Sequence, residues 1–280
     1  MRLVMFSKFL KDKDIAGLAA TAKELGLEGY DLCVRDGYVV SPANAREMMP
    51  RLVQELGRDG LSVAMVTGPI DLVWPDHAAA APICAAMSES GVRLLKIGYE
   101  FLDPAKGEDY WEKVDHIRRG LEGWVRMAQK YDVRVCLHTH SGEPRYHMGV
   151  NCAALMHLLA GFDPKYVGAY LDPGHMAVDG EPFSYGVSMV RKYLAIVALK
   201  DVLLFREDRG DEGGEGRQWV TAGKGCVAWS KVFAELVRVG FDGPLTVHGE
   251  YRNDGPEDFR AKLKPEVAYF RGKRDEAVGK

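Results

Sequence analysis

The sequence has no pair of cysteines at the C-x-x-C spacing of a redox or metal motif. Its five cysteines, Cys33, Cys84, Cys136, Cys152 and Cys226, are scattered, and an odd, dispersed set does not build a disulfide framework. Long apolar runs are missing too, none approaching the roughly 20 residues of a membrane-spanning helix. The chain opens Met1-Arg-Leu-Val-Met-Phe6 directly into an apolar run, without the charged leader, hydrophobic segment and cleavage site of a secretion signal. Excess positive charge is also lacking, and a formal net charge of −3 gives no general attraction to nucleic acid. No G-x-G-x-x-G follows the first apolar run, so the usual dinucleotide fingerprint is absent. These absences lead us to expect a cytoplasmic protein with no membrane and no nucleic-acid partner.

What is present is an ordinary globular composition, 47% apolar and 28% charged, which is enough for a sizeable core. Runs rich in β-forming residues occur at 2–6, 30–34, 61–66, 94–98, 133–138, 167–171, 195–199 and 245–248. Between them apolar residues return every three to four positions, as in Ile15, Leu18, Ala22 and Leu25, or Leu121, Trp124, Val125 and Ala128. The junctions resemble one another, with Gly29, Gly60 and Gly243 closing acidic-Gly steps before the next run. A glycine past a helix adopts the left-handed cap without a Cβ clash. Eight repeats of strand and helix predict a (β/α)8 TIM barrel over residues 1–280 as a single domain, with a flexible tail at about 272–280. An open doubly wound sheet is the alternative. Residues 203–228 read as a long connection, polar and glycine-rich from Arg206 to Arg217, serving as a lid or a plain insertion.

In such a barrel the reactive groups gather at the C-terminal ends of the strands. Four of the eight histidines fall there: His138 and His140 after the fifth run, His175 after the sixth, and His248 on the eighth. Asp172 closes the sixth run, Lys200 and Asp201 the seventh, and Glu250 follows His248 by two. Period-two geometry puts His138 with His140, and His248 with Glu250, on one side of their strands. Imidazoles and carboxylates converging at a barrel mouth suit a divalent transition metal such as zinc, manganese, cobalt or nickel. Plainer readings accompany each. Asp172-Pro-Gly can be a turn, Lys200-Asp201 a surface ion pair, and Arg35 a rim salt bridge as readily as an anion binder. Lys96 and Glu100 stay undecided, and His147 is a weaker candidate for the mouth.

The segments Asp31-Leu-Cys-Val-Arg35, Leu137-His-Thr-His-Ser-Gly142, Leu171-Asp-Pro-Gly-His175, Leu199-Lys-Asp201, Ala222-Gly-Lys-Gly-Cys-Val-Ala-Trp229 and Gly243-Pro-Leu-Thr-Val-His-Gly-Glu-Tyr251 come in register along nearly the whole chain. Together they resemble the sugar phosphate isomerase/epimerase family with the xylose-isomerase-like TIM barrel. The resemblance implies a divalent metal held at the ends of the fifth to eighth strands, with a sugar or polyol bound above it. Asp172 matches the sixth-strand ligand, and His175 matches a substrate-contacting histidine. His138 and His248 stand where glutamates are usual, and Ala198 where a histidine is usual. The expected metal ligands are therefore His138, Asp172 and His248, with His140 or Glu250 able to add a fourth. Lys200 and Arg35 join His175 as substrate-binding residues.

The expected activity is that of a sugar or polyol isomerase or epimerase working by metal-assisted proton transfer next to a carbonyl. Because a metal-bound imidazole nitrogen cannot act as a base, Glu250 and His140 are the expected proton carriers, Glu250 first because desolvation raises its basicity. A related dehydratase, or a non-catalytic sugar-binding barrel with a degenerate metal site, are the alternatives. A phosphodiester-cleaving relation would require more His and Glu ligands. A homo-oligomer is left open by the sequence.

Overall fold

The computed structural model describes residues 1–142, 145–251 and 256–279. Strands covered on both faces read as near-continuous apolar runs, and each of the eight runs becomes such a strand. They are β1 (Arg2–Phe6), β2 (Gly29–Cys33), β3 (Ser62–Thr67), β4 (Leu94–Lys96), β6 (Arg134–His138), β8 (Val167–Leu171), β9 (Leu194–Leu199) and β12 (Pro244–Val247). All pair in parallel and close on themselves in the order β1-β12-β9-β8-β6-β4-β3-β2, so the chain is a (β/α)8 TIM barrel. Two short strands, β5 (Phe101–Leu102) and β7 (Tyr146–His147), pair antiparallel above the rim.

Helices α1 (Ile15–Leu25), α2 (Ala45–Arg58), α3 (Ala80–Glu89), α4 (Tyr110–Tyr131), α5 (Cys152–Leu159), α6 (Pro173–Val178), α7 (Phe183–Val190), α8 (Trp229–Arg238) and α9 (Pro256–Ala277) alternate with the strands. In α4 the stripe Val114, Ile117, Leu121, Trp124 and Ala128 is buried, as its spacing predicts. Carboxylates cap helix starts: Asp14 accepts from the Gly17 amide, and Asp109 from Trp111 and Glu112. Left-handed positions that close helices include Gly26, Gly60, Gly91, Gly180 and Gly240, with Asp132 in that role after α4. Gly29 instead opens β2, where a Cβ would overlap the Ser62 backbone.

The last helix runs through Ala277, where Arg274 pairs with Glu28, and Lys280 lies outside the described residues. One segment differs from expectation. The connection after the seventh barrel strand holds an antiparallel hairpin, β10 (Asp201–Arg209) and β11 (Glu212–Val220), in register from Asp201↔Val220 to Arg209↔Glu212. Its two-residue turn uses Gly210 at φ 73°, a conformation that glycine adopts without strain. Among the described residues no helix is long and apolar enough to cross a membrane.

Candidate active site

The mouth at the strand C-termini encloses a cavity of about 210 Å³ lined by Asp31, Arg35, Lys96, Tyr99, His138, His140, Tyr170, Lys200, His248 and Glu250, among others. Its centre of charge is Lys200. The buried ammonium donates to Glu250 Oε2 at 2.8 Å and to His175 Nε2 at 2.8 Å, and lies 3.3 Å from Asp172 Oδ2. Burial alone would strip its proton, but Asp172 and Glu250 outweigh that and raise its pKa, so the group is a full cation. Trp219 of β11 lays its ring 4.2 Å from the same ammonium, which makes the hairpin a wall of the site.

Asp172 divides its two oxygens between two tasks. Oδ1 accepts from the amides of Gly174 and His175 and caps α6, while Oδ2 faces Lys200 and lies 3.6 Å from His138 Nε2. Burial pushes its pKa up, and Lys200, His175 and His138 more than reverse that. Gly174 follows because a Cβ there would overlap the Lys200 carbonyl.

Burial keeps the His138, His140 and His175 imidazoles neutral. His138 is pushed down to about 3 and His140 to about 2, in both cases chiefly by burial. His140 Nδ1 contacts the Ser141 carbonyl at 2.7 Å; a carbonyl only accepts, so Nδ1 carries the proton and Nε2 keeps its lone pair. Its ring packs at a tilt against His175, 3.8 Å between centroids, and against His147 at 4.2 Å. His175 Nε2 accepts from Lys200, and its Nδ1 lies 2.7 Å from Ser141 Oγ and 3.2 Å from the Ser141 amide.

Two tyrosines that the sequence reading missed fix the outer imidazole nitrogens. Tyr99 Oη is bonded to His138 Nδ1 at 2.6 Å, and Tyr170 Oη to His248 Nε2 at 2.7 Å. Tyr170 sits two positions before Asp172, so strand alternation was the available signal. Tyr99 lies in a loop and had none. Three of the mouth's buried atoms are left without a hydrogen-bond partner among the described residues: His138 Nε2, Asp172 Oδ2 and His248 Nδ1. These belong to the three residues expected to ligate a metal, and bare imidazole nitrogen with carboxylate oxygen is the donor chemistry a divalent transition metal takes. His248 Nδ1, however, faces Glu250 at 3.8 Å, and among the described residues no three His, Cys, Asp and Glu side chains are drawn together as a metal-holding group. The donor types suit such an ion; the charge the arrangement itself supplies is the Lys200 ammonium.

Glu250 differs from expectation. Burial does push its pKa up, but Lys200, His248 and Lys8 overcome it and hold the carboxylate well below its usual range. Lys8 bonds its second oxygen at 2.8 Å. Asp201, adjacent to Lys200, turns away from the cavity; it accepts from the amides of Gly223, Gly225 and Val227 and from Trp229 Nε1, and so organises the loop before α8. Arg35 lines the cavity and donates from Nε to the Gly68 carbonyl at 3.2 Å.

A family model described as the xylose isomerase-like TIM barrel matches residues 19–271. The chain belongs to that family. An inosose dehydratase of Bacillus velezensis is 26% identical over 147 residues, 50% of this chain and 48% of that protein. The chain thus matches about half the length of the curated relatives it resembles. Among solved structures, the 3-keto-D-glucoside 4-epimerase of E. coli superposes with a TM-score of 0.74 at 16% identity, covering 97% of this chain and 99% of that one. The D-psicose 3-epimerase of Clostridium cellulolyticum, solved with D-tagatose, gives 0.71 at 12% identity, covering 98% and 99%. At these identities the two structures establish the shared barrel, and their activities are those of the proteins named.

Proposed function

We propose that this enzyme is an isomerase or epimerase of a small sugar or polyol, moving a proton at a carbon next to a carbonyl. The observation that carries the reading is the buried Lys200 ammonium set among neutral imidazoles at the barrel mouth, a fixed cation where negative charge would develop. A divalent cation such as zinc, manganese, cobalt or nickel, held by His138, Asp172 and His248, would supply further polarisation of the same oxygen.

The chain's own residues account for the rest. Substrate carbonyl oxygen accepts from Lys200 and takes the place of one of its present partners. Glu250 then loses a counter-charge and gains basicity, which is the condition for removing the proton. The C–H pair moves into the C–C bond, the carbonyl oxygen becomes an enediolate oxygen, and Lys200 holds it. His140, with its free Nε2, is the second proton carrier. Return of the proton from Glu250 to the neighbouring carbon gives an isomer; an epimer needs a proton on the opposite face, which His140 must first take from solvent at Nε2 while Glu250 gives up its own proton to solvent. Arg35 holds a substrate hydroxyl, and His175 bears on the substrate through the Lys200 ammonium that it holds.

Solvent deuterium exchange at the substrate carbon tests this, with D-psicose, D-tagatose and an inosose as probes. We expect exchange with the wild type and at least a hundredfold slower exchange in Glu250→Gln. Undiminished exchange in the variant would remove Glu250 from the role and leave it to His140. A dehydratase is the second reading, favoured by the inosose dehydratase relatives. It would lose the hydroxyl β to the carbonyl as water and reveal itself by an unsaturated ketone absorbing in the ultraviolet. Saturable binding of these probes with neither exchange nor water loss would make the barrel a sugar-binding protein instead.

A further inference from the structure

We infer that the cavity wall opposite Lys200 is an anion pocket, in which Arg35 and Lys96 receive a terminal carboxylate or phosphate of the sugar; this rests on the placement of the reacting carbonyl at Lys200. The two cations come from one side of the barrel. Arg35 follows β2 and Lys96 ends β4, the strands on either side of β3, whereas Lys200 and Glu250 follow β9 and β12. Both line the cavity that contains Lys200.

Their partners are incomplete. Lys96 is only 5% exposed, and among the described residues its ammonium has no ion pair and no hydrogen bond, resting over the Tyr99 ring at 3.9 Å. Arg35 uses Nε on the Gly68 carbonyl, and its two terminal nitrogens have no hydrogen-bond partner among the described residues. The other ammonium groups of the cavity are neutralised, Lys8 by Glu250 and Lys200 by Glu250 and Asp172. The remaining carboxylate on this side, Asp31, is occupied by the hydroxyls of Thr67 at 2.7 Å and Thr246 at 3.4 Å and makes no ion pair with Lys96. Burial, and after it the neighbouring Arg35, lowers Lys96 to about 7.

A buried ammonium beside a like charge is unfavourable unless something negative completes it. Guanidinium with two free N–H groups on one edge matches the two oxygens of a carboxylate or phosphate, and the lysine adds a point charge. Counting Asp172 against Lys200, four cations, Lys8, Arg35, Lys96 and Lys200, face three carboxylates, Asp31, Asp172 and Glu250, so the excess is positive and sits on the Arg35–Lys96 side. A sugar lying across the mouth would put its anionic end there and its carbonyl at Lys200.

Titration calorimetry on the full chain tests the pocket, using inorganic phosphate and D-gluconate against neutral D-sorbitol. We expect at least one of the two anions to bind tenfold or more tighter than sorbitol. Lys96→Met and Arg35→Gln should each lose that preference, and in Lys96→Met sorbitol binding should stay within about threefold, the methionine being a close fit to the buried lysine stem. Preference for phosphate alone would assign a phosphorylated sugar, and preference for gluconate alone a sugar acid. Anions that bind no better than sorbitol, or a preference that survives both substitutions, would overturn the pocket. Deuterium exchange on the neutral ketoses separates the two ideas. Exchange without anion preference sinks the pocket and keeps the proton-transfer reading, whereas anion preference without exchange on any probe, anionic sugars included, does the reverse.

Discussion

Lys200 keeps its proton in a place where burial opposes it, because Asp172 and Glu250 face it from two strands. Removing one member of a buried pair leaves the rest uncompensated, at a cost of about 3–5 kcal/mol. We therefore expect Lys200→Met to lose about 3 kcal/mol in urea unfolding, and Lys200→Met/Glu250→Gln to regain part of it. A single variant as stable as wild type would show that the ammonium balances nothing. At this scale the sequence was legible in residue types more than in pairings. Asp172 could be read as a turn residue or as a site carboxylate, and its two oxygens do both. The depressed pKa of Glu250 was not legible, because a partner that helps hold it down, Lys8, is 242 positions away.

The barrel strands were legible because each is apolar and β-rich over its whole length, and burial on both faces imposes that pattern. The hairpin β10–β11 was not, since a two-stranded ribbon exposed beyond its base has no buried face to impose alternation; Leu203 and Phe205 on it are exposed, and Glu, Arg and Gly dominate its outer half. Its one signal was the turn pair Gly210-Asp211 between two equal arms. That hairpin carries Trp219 to Lys200 and to His175, with ring centroids 4.8 Å apart in the second contact. A cation–π contact of this kind contributes about 1–2 kcal/mol, roughly tenfold in an equilibrium. We expect Trp219→Ala to raise KM about tenfold and to move Tm by no more than about 3 °C, because the ring is outside the buried core. A drop in Tm of about 10 °C with unchanged KM would make the hairpin a structural clamp instead of a wall of the site.

Across the whole molecule the mouth concentrates charge that the barrel has to carry, and the cost should appear in how stability varies with pH. Asp31, on β2, is fully buried and tied to Thr67 on β3 and, past β1, to Thr246 on β12, so it links three barrel strands. Burial raises its pKa from 3.8 to about 6, against the smaller opposing pull of Thr67, His248, Lys96 and Thr246. Between those two values the folded chain holds a proton that the unfolded chain has released. The stability this contributes is complete below pH 3.8 and is lost as pH rises through about 6. The neutral amide of an Asp31→Asn variant would imitate the protonated form at every pH, keeping an oxygen for the Thr67 hydroxyl. We expect this variant to match wild type near pH 4 and to exceed it at about pH 7 to 8 by on the order of 2–3 kcal/mol, measured by urea unfolding across that range. The acid-sensitive pairs at Asp172 and Glu250 are common to both proteins and cancel in the difference. If the two curves run parallel across the same range, Asp31 is ionised at little cost, and the barrel pays for its charged mouth elsewhere.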